Sequence, residues 1–326
     1  AVVEGFVKAG FSADCFVMAE GLNPEITHWL ASAPEVTAIG FTGSGMVGKL
    51  LSDIAHKRPT PIPVFAEMGS LNPVFFTPGA LKANAEALAK AALDSATLGS
   101  GQFCTKPGIM VIPTGAEGDE FLKHVESYLG TLKVAPLLNK GIADRYSTAT
   151  AKLAIDSKLK VYRGENSGNG FSVEPTVFVV DWDVAKNNHE LLEEHFGPTS
   201  VIIRSDFANF EKVAEAMEGQ LCAALHASTG EAVAGLLNIL AEKAGRVIMN
   251  GFPTAVAVTA AMQHGGQWPS SSSHTTSVGL DSIYRFLRPV AHQGFADDLL
   301  PPSLQNSNPW KISRMVNGKS TSEAIG

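Results

Sequence analysis

Along residues 1–75, short apolar runs alternate with longer stretches whose apolar side chains recur at helical spacing. Cys15-Phe16-Val17-Met18 is the first run, and residues 24–32 follow it with a helix-like pattern. Val36-Thr37-Ala38-Ile39-Gly40-Phe41 predicts a second strand, since β-branched and apolar side chains suit a pleated, buried surface. Thr42-Gly43-Ser44-Gly45 then turns the chain into an amphipathic helix over residues 46–56, and Pro63-Val64-Phe65-Ala66-Glu67-Met68 predicts a third strand. Apolar strands separated by helices imply a parallel sheet covered on both faces.

A long helix is predicted over residues 81–97. Further strands are predicted near residues 109–112, 177–180, 201–203 and 247–249, and helices over 117–132, 140–156, 207–218 and 231–244. Residues 168–170 and 270–273 are loops by composition, residues 283–290 read as an edge strand, and the chain from Pro301 reads as a tail. The expected class is α/β.

At 326 residues the chain exceeds one ordinary core, so two or three domains are expected. An apolar share of 45% with 17% charged residues excludes a disordered chain and suits a packed, soluble one. The 25 basic and 32 acidic side chains give a net charge of -7 without a Lys/Arg cluster, which argues against nucleic acid as a partner. No apolar run is long enough to span a bilayer and no signal-peptide pattern opens the chain, so no membrane partner is expected. The three cysteines, Cys15, Cys104 and Cys222, are odd in number and far apart. That argues against a disulfide framework and a Cys-based metal site, fits a reducing compartment such as the cytoplasm, and leaves no metal expected. Cys15 and Cys222, in apolar surroundings, read as small buried residues.

Four short segments carry candidate chemistry. Phe41-Thr42-Gly43-Ser44-Gly45-Met46-Val47-Gly48 leads a strand through a glycine turn into a helix. Backbone N–H groups and a positive helix end then gather at one point, which favours a phosphate. The spacing is not that of the common dinucleotide fingerprint, and such a turn also serves backbone freedom alone. Glu67, in Ala66-Glu67-Met68-Gly69-Ser70-Leu71-Asn72-Pro73, ends a predicted parallel strand, where α/β sheets place active sites. A strand-end carboxylate facing water or pairing with a helix is the plainer reading. Gly99-Ser100-Gly101-Gln102-Phe103-Cys104-Thr105 puts a cysteine on a glycine-rich loop, the setting of a nucleophilic thiol, although a lone cysteine also occurs as a buried apolar residue. Leu192-Glu193-Glu194-His195-Phe196-Gly197-Pro198 suits a ribose and a ring, or equally a helix end with a solvated charge pair.

The order of these segments is more specific than any one of them. Phe41-Thr42-Gly43-Ser44, Glu67-Met68-Gly69-Ser70-Leu71-Asn72-Pro73, Gly101-Gln102-Phe103-Cys104-Thr105 and Glu194-His195-Phe196-Gly197-Pro198 together resemble the aldehyde dehydrogenase superfamily, over residues 1 to about 300. Pro61-Ile62-Pro63-Val64-Phe65-Ala66-Glu67-Met68 and His264-Gly265-Gly266-Gln267-Trp268-Pro269 resemble its branch of 2,5-dioxovalerate (α-ketoglutarate semialdehyde) dehydrogenases and bacterial NADP-linked fatty aldehyde dehydrogenases. The resemblance implies the remnant of a Rossmann-type cofactor domain at residues 1–69, an α/β catalytic domain at 70–282, and an oligomerisation strand with a tail at 283–326. It implies NAD(P)-dependent oxidation of an aldehyde, 2,5-dioxovalerate or a fatty aldehyde, to a carboxylic acid, with NADP or NAD as cofactor. It also implies a homo-oligomer for the full-length protein.

Carried over residue by residue, the resemblance makes Cys104 the nucleophile that gives a thiohemiacetal and, after hydride loss to the nicotinamide, a thioester. Glu67 would activate the water that hydrolyses it, and the backbone N–H of Cys104 would help hold the oxyanion. Thr42, Gly43, Ser44 and Gly69 would lie along the cofactor, Glu194 would hold the nicotinamide ribose, and Phe196 would pack beside the ring. His264 and Asn250 become candidate substrate contacts, because the family's loop after Asn250-Gly251 lines the aldehyde channel; a merely hydrogen-bonded turn histidine fits His264 as well.

Family members begin upstream of residue 1, with leading strands of the cofactor domain, a lysine at the adenosine ribose and an asparagine in the oxyanion hole. The expectation is an N-terminally truncated chain with an uncovered apolar sheet edge, inactive or nearly so by itself. Lys106 and Gly45 depart from the branch pattern without touching the chemistry. Two other functions stay open. One is a thioesterase or acyl transferase using Cys104 with His264 as base, which would work without nicotinamide. The other is a non-catalytic structural relative, which has no need of Glu67, Cys104 and Glu194 together.

Overall fold

In the computed structural model, which describes residues 1–21 and 25–325, helices α1 (Val2–Lys8) and α2 (Glu25–Ser32) precede the first strand, β1 (Ile39–Thr42). Pro24, where the sequence pattern starts the second helix, lies outside the described residues. The 13-residue helix α3 (Gly45–Lys57) crosses from β1 to β2 (Val64–Glu67), and the two strands pair in parallel from Ile39↔Val64 to Thr42↔Glu67. The helix lies close on the sheet because Gly48 has no side chain: a Cβ there would fall 2.6 Å from Met68 Sδ. Leu51 and Ala55 continue that buried face.

A second sheet begins at β3 (Val74–Phe76). It is followed by α4 (Pro78–Thr97), β4 (Ile109–Pro113), α5 (Ala116–Leu129), α6 (Lys140–Ala154), β5 (Lys160–Arg163) and β6 (Thr176–Asp181). Then come α7 (Trp182–Ala185), β7 (Thr199–Ser205), α8 (Phe210–Glu215), β8 (Gln220–His226), α9 (Ala234–Lys243) and β9 (Ala244–Met249). The seven strands lie in the order β5-β6-β7-β4-β3-β8-β9, all parallel except β5, which runs antiparallel to β6. Successive strand residues feed opposite cores. Ile109 and Val111 pack with Val201, Ile203 and Phe210, whereas Met110 and Ile112 pack with Leu93, Phe121 and Val177. Two-sided burial is why these strands read as continuous apolar runs. The architecture is the α/β class that the sequence implied.

β3, β5 and β8 escaped the sequence pattern. β3 is a three-residue strand wedged between Pro73 and Pro78. β8 contains Cys222-Ala223-Ala224, small residues with little strand preference, and is placed by burial between β3 and β9. Two expected strands are absent among the described residues. Residues 16–18 follow a 3-10 turn at Ala13–Cys15 and no strand pairs with them; Val17 is 82% exposed and Cys15 is exposed rather than buried. Residues 283–290 form no edge strand either, because a 3-10 helix spans Leu280–Phe286 and no described strand offers the rest a ladder.

The chain forms two compact units, Ala1–Arg285 and Phe286–Gly326. The second is not a bare tail. β10 (Arg314–Val316) and β11 (Lys319–Thr321) make an antiparallel hairpin closed by Asn317-Gly318, whose φ values of 49° and 78° give the two-residue turn that matches strand twist. Buried Asn308 pins its base by donating to the carbonyls of Ile312 and Ser322. No helix among the described residues is long and apolar enough to cross a membrane.

Candidate active site

Glu67 is the last residue of β2 and is only 4% exposed. A remote segment closes over it: Met68 N–H donates to Ser270 O, Ser272 N–H donates to Ala66 O, and Glu67 bridges antiparallel to Ser271. This pairing carries residues 264–277 across the end of β2 and delivers two side chains to the carboxylate. His264 Nε2 lies 3.0 Å from Glu67 Oε1, and the Ser277 hydroxyl donates to Oε2 at 2.6 Å. Burial pushes the Glu67 carboxyl up, but the bonds from His264 and Ser277 and the imidazole's charge outweigh it and hold the group below the usual carboxylate value. Burial likewise pushes His264 down, yet Cys104 and Glu67 beside it raise the imidazole to about 9. At neutral pH the pair is carboxylate and imidazolium.

That pair has a pH signature. A histidine raised to about 9 stabilises the fold fully below its unfolded value and loses that contribution as pH climbs through the folded one. Glu67, lowered from 4.5, contributes above that value and fades as pH falls below it. Across the alkaline limb, from about pH 6.5 to 9, the His264 contribution should fall by on the order of 2 kcal/mol. Lys106, lowered to about 8 by burial, titrates with the opposite sign in parent and variant alike, so the difference between parent and His264→Gln isolates the histidine. Denaturant-unfolding curves in which that difference stays constant with pH would contradict the ion pair.

Cys104 sits on the loop between α4 and β4. The helix runs into a 3-10 turn, Leu98–Gly101, in which Gly99, Ser100 and Gly101 all take positive φ. Only glycine fits at position 101: a Cβ would lie 2.2 Å from Gly197 O, and the Gly197 N–H donates back to Gly101 O. Asn72 grips the far side of the loop. Its Nδ2 donates to Cys104 O at 2.8 Å and Lys106 O at 2.9 Å, while its Oδ1 accepts from Cys222 N–H and the Ser70 hydroxyl. Gln220, which begins β8, in turn accepts the N–H groups of Leu71 and Asn72. The thiol so placed is half-buried, with Sγ 3.7 Å from His264 Nε2. Ligating atoms of Glu67, Cys104 and His264 all lie within 4.8 Å of one another.

Asn72→Ala strands the buried Lys106 carbonyl and Cys222 N–H and the half-buried Cys104 carbonyl, so it should cost about 3 kcal/mol of unfolding free energy and change the alkylation rate of Cys104. A variant with parental stability and parental alkylation would show that the amide anchors nothing.

Beside Glu67 a cleft of about 700 Å³ is lined by Ser44, Gly69 and Glu194 among others. Ser44 is the N-cap of α3 and its hydroxyl makes no capping bond, so the start of a 13-residue helix presents N–H groups and positive charge there. Gly69 lets Glu194 approach: a Cβ at Gly69 would meet Glu194 Oε2 at 2.7 Å. Burial raises the Glu194 carboxyl, while the Lys106 charge and the Ser70 N–H pull it down. Lys106, 2% exposed, ties this loop to the Cys104 loop by donating Nζ to His195 O at 2.8 Å and Thr199 O at 2.7 Å. Helix-end donors for a pyrophosphate, a glycine floor and a carboxylate for ribose hydroxyls are the set a dinucleotide requires, and these residues fit one.

The structure thus gathers Glu67, Cys104 and His264 at one point and Ser44, Gly69 and Glu194 in the neighbouring cleft. Thr42 lies in β1 opposite Glu67 of β2 and Gly43 donates its N–H to Glu67 O; neither is among the cleft-lining residues. Phe196 is 37% exposed on the loop after Glu194. Asn250 is not among the residues lining the cleft. It follows β9 at φ 52° and its Oδ1 accepts the Ala227 N–H at 3.0 Å, tying together the ends of β8 and β9, whereas Cys104 precedes the start of the parallel strand β4. Asn72, Gln220, Ser277 and Lys106 support the site and were not singled out from sequence for that role; only Asn72 lay inside a recognised segment.

The model of the family described as "Aldehyde dehydrogenase family" matches residues 1–289. Alpha-ketoglutaric semialdehyde dehydrogenase 2 of Azospirillum brasilense is 41% identical over 324 residues, which is 98% of this chain and 62% of that protein. Alpha-ketoglutaric semialdehyde dehydrogenase of Acinetobacter baylyi is 38% identical over 98% of the chain and 61% of its own length. The chain therefore spans less than two thirds of these curated relatives. Among solved structures, 1-pyrroline-5-carboxylate dehydrogenase from Thermus with bound NAD superposes with a TM-score of 0.75 at 22% identity, covering 88% of this chain and 56% of that one, a likeness of fold.

Proposed function

The chain belongs to the aldehyde dehydrogenase family, and from that premise we propose that the protein oxidises an aldehyde to a carboxylic acid with NAD or NADP. The observation that carries this reading is the convergence of the Cys104 sulfur, the Glu67 carboxylate and the His264 imidazole. A thiolate adds to a carbonyl carbon far better than a thiol, and the His264 imidazolium 3.7 Å from the sulfur supplies the charge that form requires. Addition of sulfur gives a thiohemiacetal. Ser44, Gly69 and Glu194 would hold a dinucleotide, which would supply the hydride acceptor, so that the adduct on Cys104 would become a thioester. Glu67, held ionised, takes a proton from the water that attacks this thioester and frees the acid. Both carboxylate oxygens have partners, His264 on one and Ser277 on the other, so water reaches the base by displacing one of them.

Because two relatives at 41% and 38% identity are named as α-ketoglutaric semialdehyde dehydrogenases, that semialdehyde is the substrate we put ahead of a fatty aldehyde. On the same reading residues 1–69 belong to the cofactor domain, 70–282 form the catalytic domain and 283–326 the oligomerisation segment, divisions that limited proteolysis would test. The test of function is NAD(P)H formation by the full-length protein with the semialdehyde against hexanal. No reduced cofactor with either aldehyde, from protein that binds the dinucleotide, overturns the reading. The 3.7 Å sulfur–imidazole contact also favours a thioesterase, which would hydrolyse a thioester without nicotinamide. The geometry weighs against it: sulfur and carboxylate address the same nitrogen of His264, and Nδ1 has no partner, unlike a relay with one partner on each nitrogen.

A further inference from the structure

We propose that Glu67, Cys104 and His264 also form a binding site for Zn²⁺, which makes that ion a reversible inhibitor of the protein. The inhibition rests on the dehydrogenase reading above, whereas the binding does not. One sulfur, one imidazole nitrogen and one carboxylate oxygen are a donor mixture that zinc takes readily. A tetrahedral zinc ion has bonds of about 2.0–2.3 Å, so its ligand atoms stand roughly 3.3–3.6 Å apart. Here Nε2 and Oε1 are 3.0 Å apart, Nε2 and Sγ are 3.7 Å apart, and all three atoms fall within 4.8 Å. Small torsional adjustments bring them to the tetrahedral edges.

The donors are held in place by independent supports. Glu67 ends a paired strand, Cys104 is fixed through its carbonyl by Asn72, and the His264 N–H donates to Thr276 Oγ1 at 2.9 Å. In the protein alone, one proton on Nε2 must serve both the carboxylate and the sulfur. A dication replaces it and satisfies both anionic donors at once. Binding releases the imidazolium proton, and the thiol proton where sulfur is protonated, with no change of oxidation state. Three protein ligands leave the fourth tetrahedral position to water or an aldehyde oxygen. With zinc in place the sulfur cannot attack a carbonyl and the carboxylate cannot accept a proton.

Calorimetric titration with Zn²⁺ alone tests the site, together with Co²⁺ as a coloured substitute whose sulfur-to-metal charge-transfer band reports thiolate ligation. Zn²⁺ is expected to shield Cys104 from iodoacetamide, reversibly with EDTA. Cys104→Ser and His264→Gln should each weaken binding by about 100-fold and Glu67→Gln by about tenfold, with Cys15→Ser unchanged. If Cys104→Ser does not fold, parent protein alkylated at Cys104 takes its place and should lose the cobalt band. Binding that survives these changes, or a cobalt spectrum without the sulfur band, overturns the proposal. Zinc binding by full-length protein that never oxidises an aldehyde refutes the dehydrogenase reading alone; oxidation that zinc leaves untouched refutes the inhibitor.

Discussion

In the full-length protein, Cys104→Ala is expected to lower NAD(P)H formation from the semialdehyde by about 10,000-fold or more while leaving dinucleotide affinity within about twofold. The sulfur is the one group at the convergence point able to form a bond to the carbonyl carbon and later release it. Its removal should not disturb the loop, because Asn72 grips the carbonyl of residue 104 and not its side chain. Affinity and rate therefore separate cleanly. Steady-state absorbance gives the rate and a fluorescence titration gives the affinity. A variant that retains more than about a tenth of the parental rate would rule out covalent catalysis at this position.

Glu67→Gln is expected to split the reaction differently. The amide keeps an oxygen that can accept from His264 or Ser277 but cannot take a proton from water. Attack by sulfur and loss of hydride should survive, and hydrolysis should slow by about 100- to 10,000-fold. Rapid mixing would then show a burst of reduced cofactor followed by a slow steady state, with the acyl group on Cys104 visible by mass spectrometry. A uniformly slow reaction without a burst, and without acyl-enzyme, would place Glu67 before the thioester and contradict its role as the hydrolytic base.

The unit from β1 through α3 to β2 was legible because its signals are local: a β-branched run, a glycine turn, an amphipathic helix and a second run. Glu67 and Cys104 were legible from the order of their segments and not from either residue alone. Ser277 and Gln220 were not, since each matters only through a long-range register, the first through the pairing of residues 270–272 with β2 and the second through the β3–β8 ladder. His264 lay in a recognised segment, but nothing local says that its Nε2 faces both sulfur and carboxylate. Nor does sequence show that the Asn250 side chain ties the ends of β8 and β9 together. The mixed Glu/Cys/His donor set escaped a search based on cysteine spacing for the same reason: its members are remote in sequence.

Glu67 and the loop anchor Asn72 share one short connector. Glu67 closes the two-stranded sheet, Asn72 stands just before β3 of the seven-stranded one, and five positions separate them. Shear between the two sheets would move the carboxylate and the clamp on the sulfur-bearing loop together. The gap between carboxylate and sulfur is thus gauged by a few covalently linked residues rather than by the fit of one layer on another. Substitutions at the rims of either sheet can erode stability while leaving that gap unchanged.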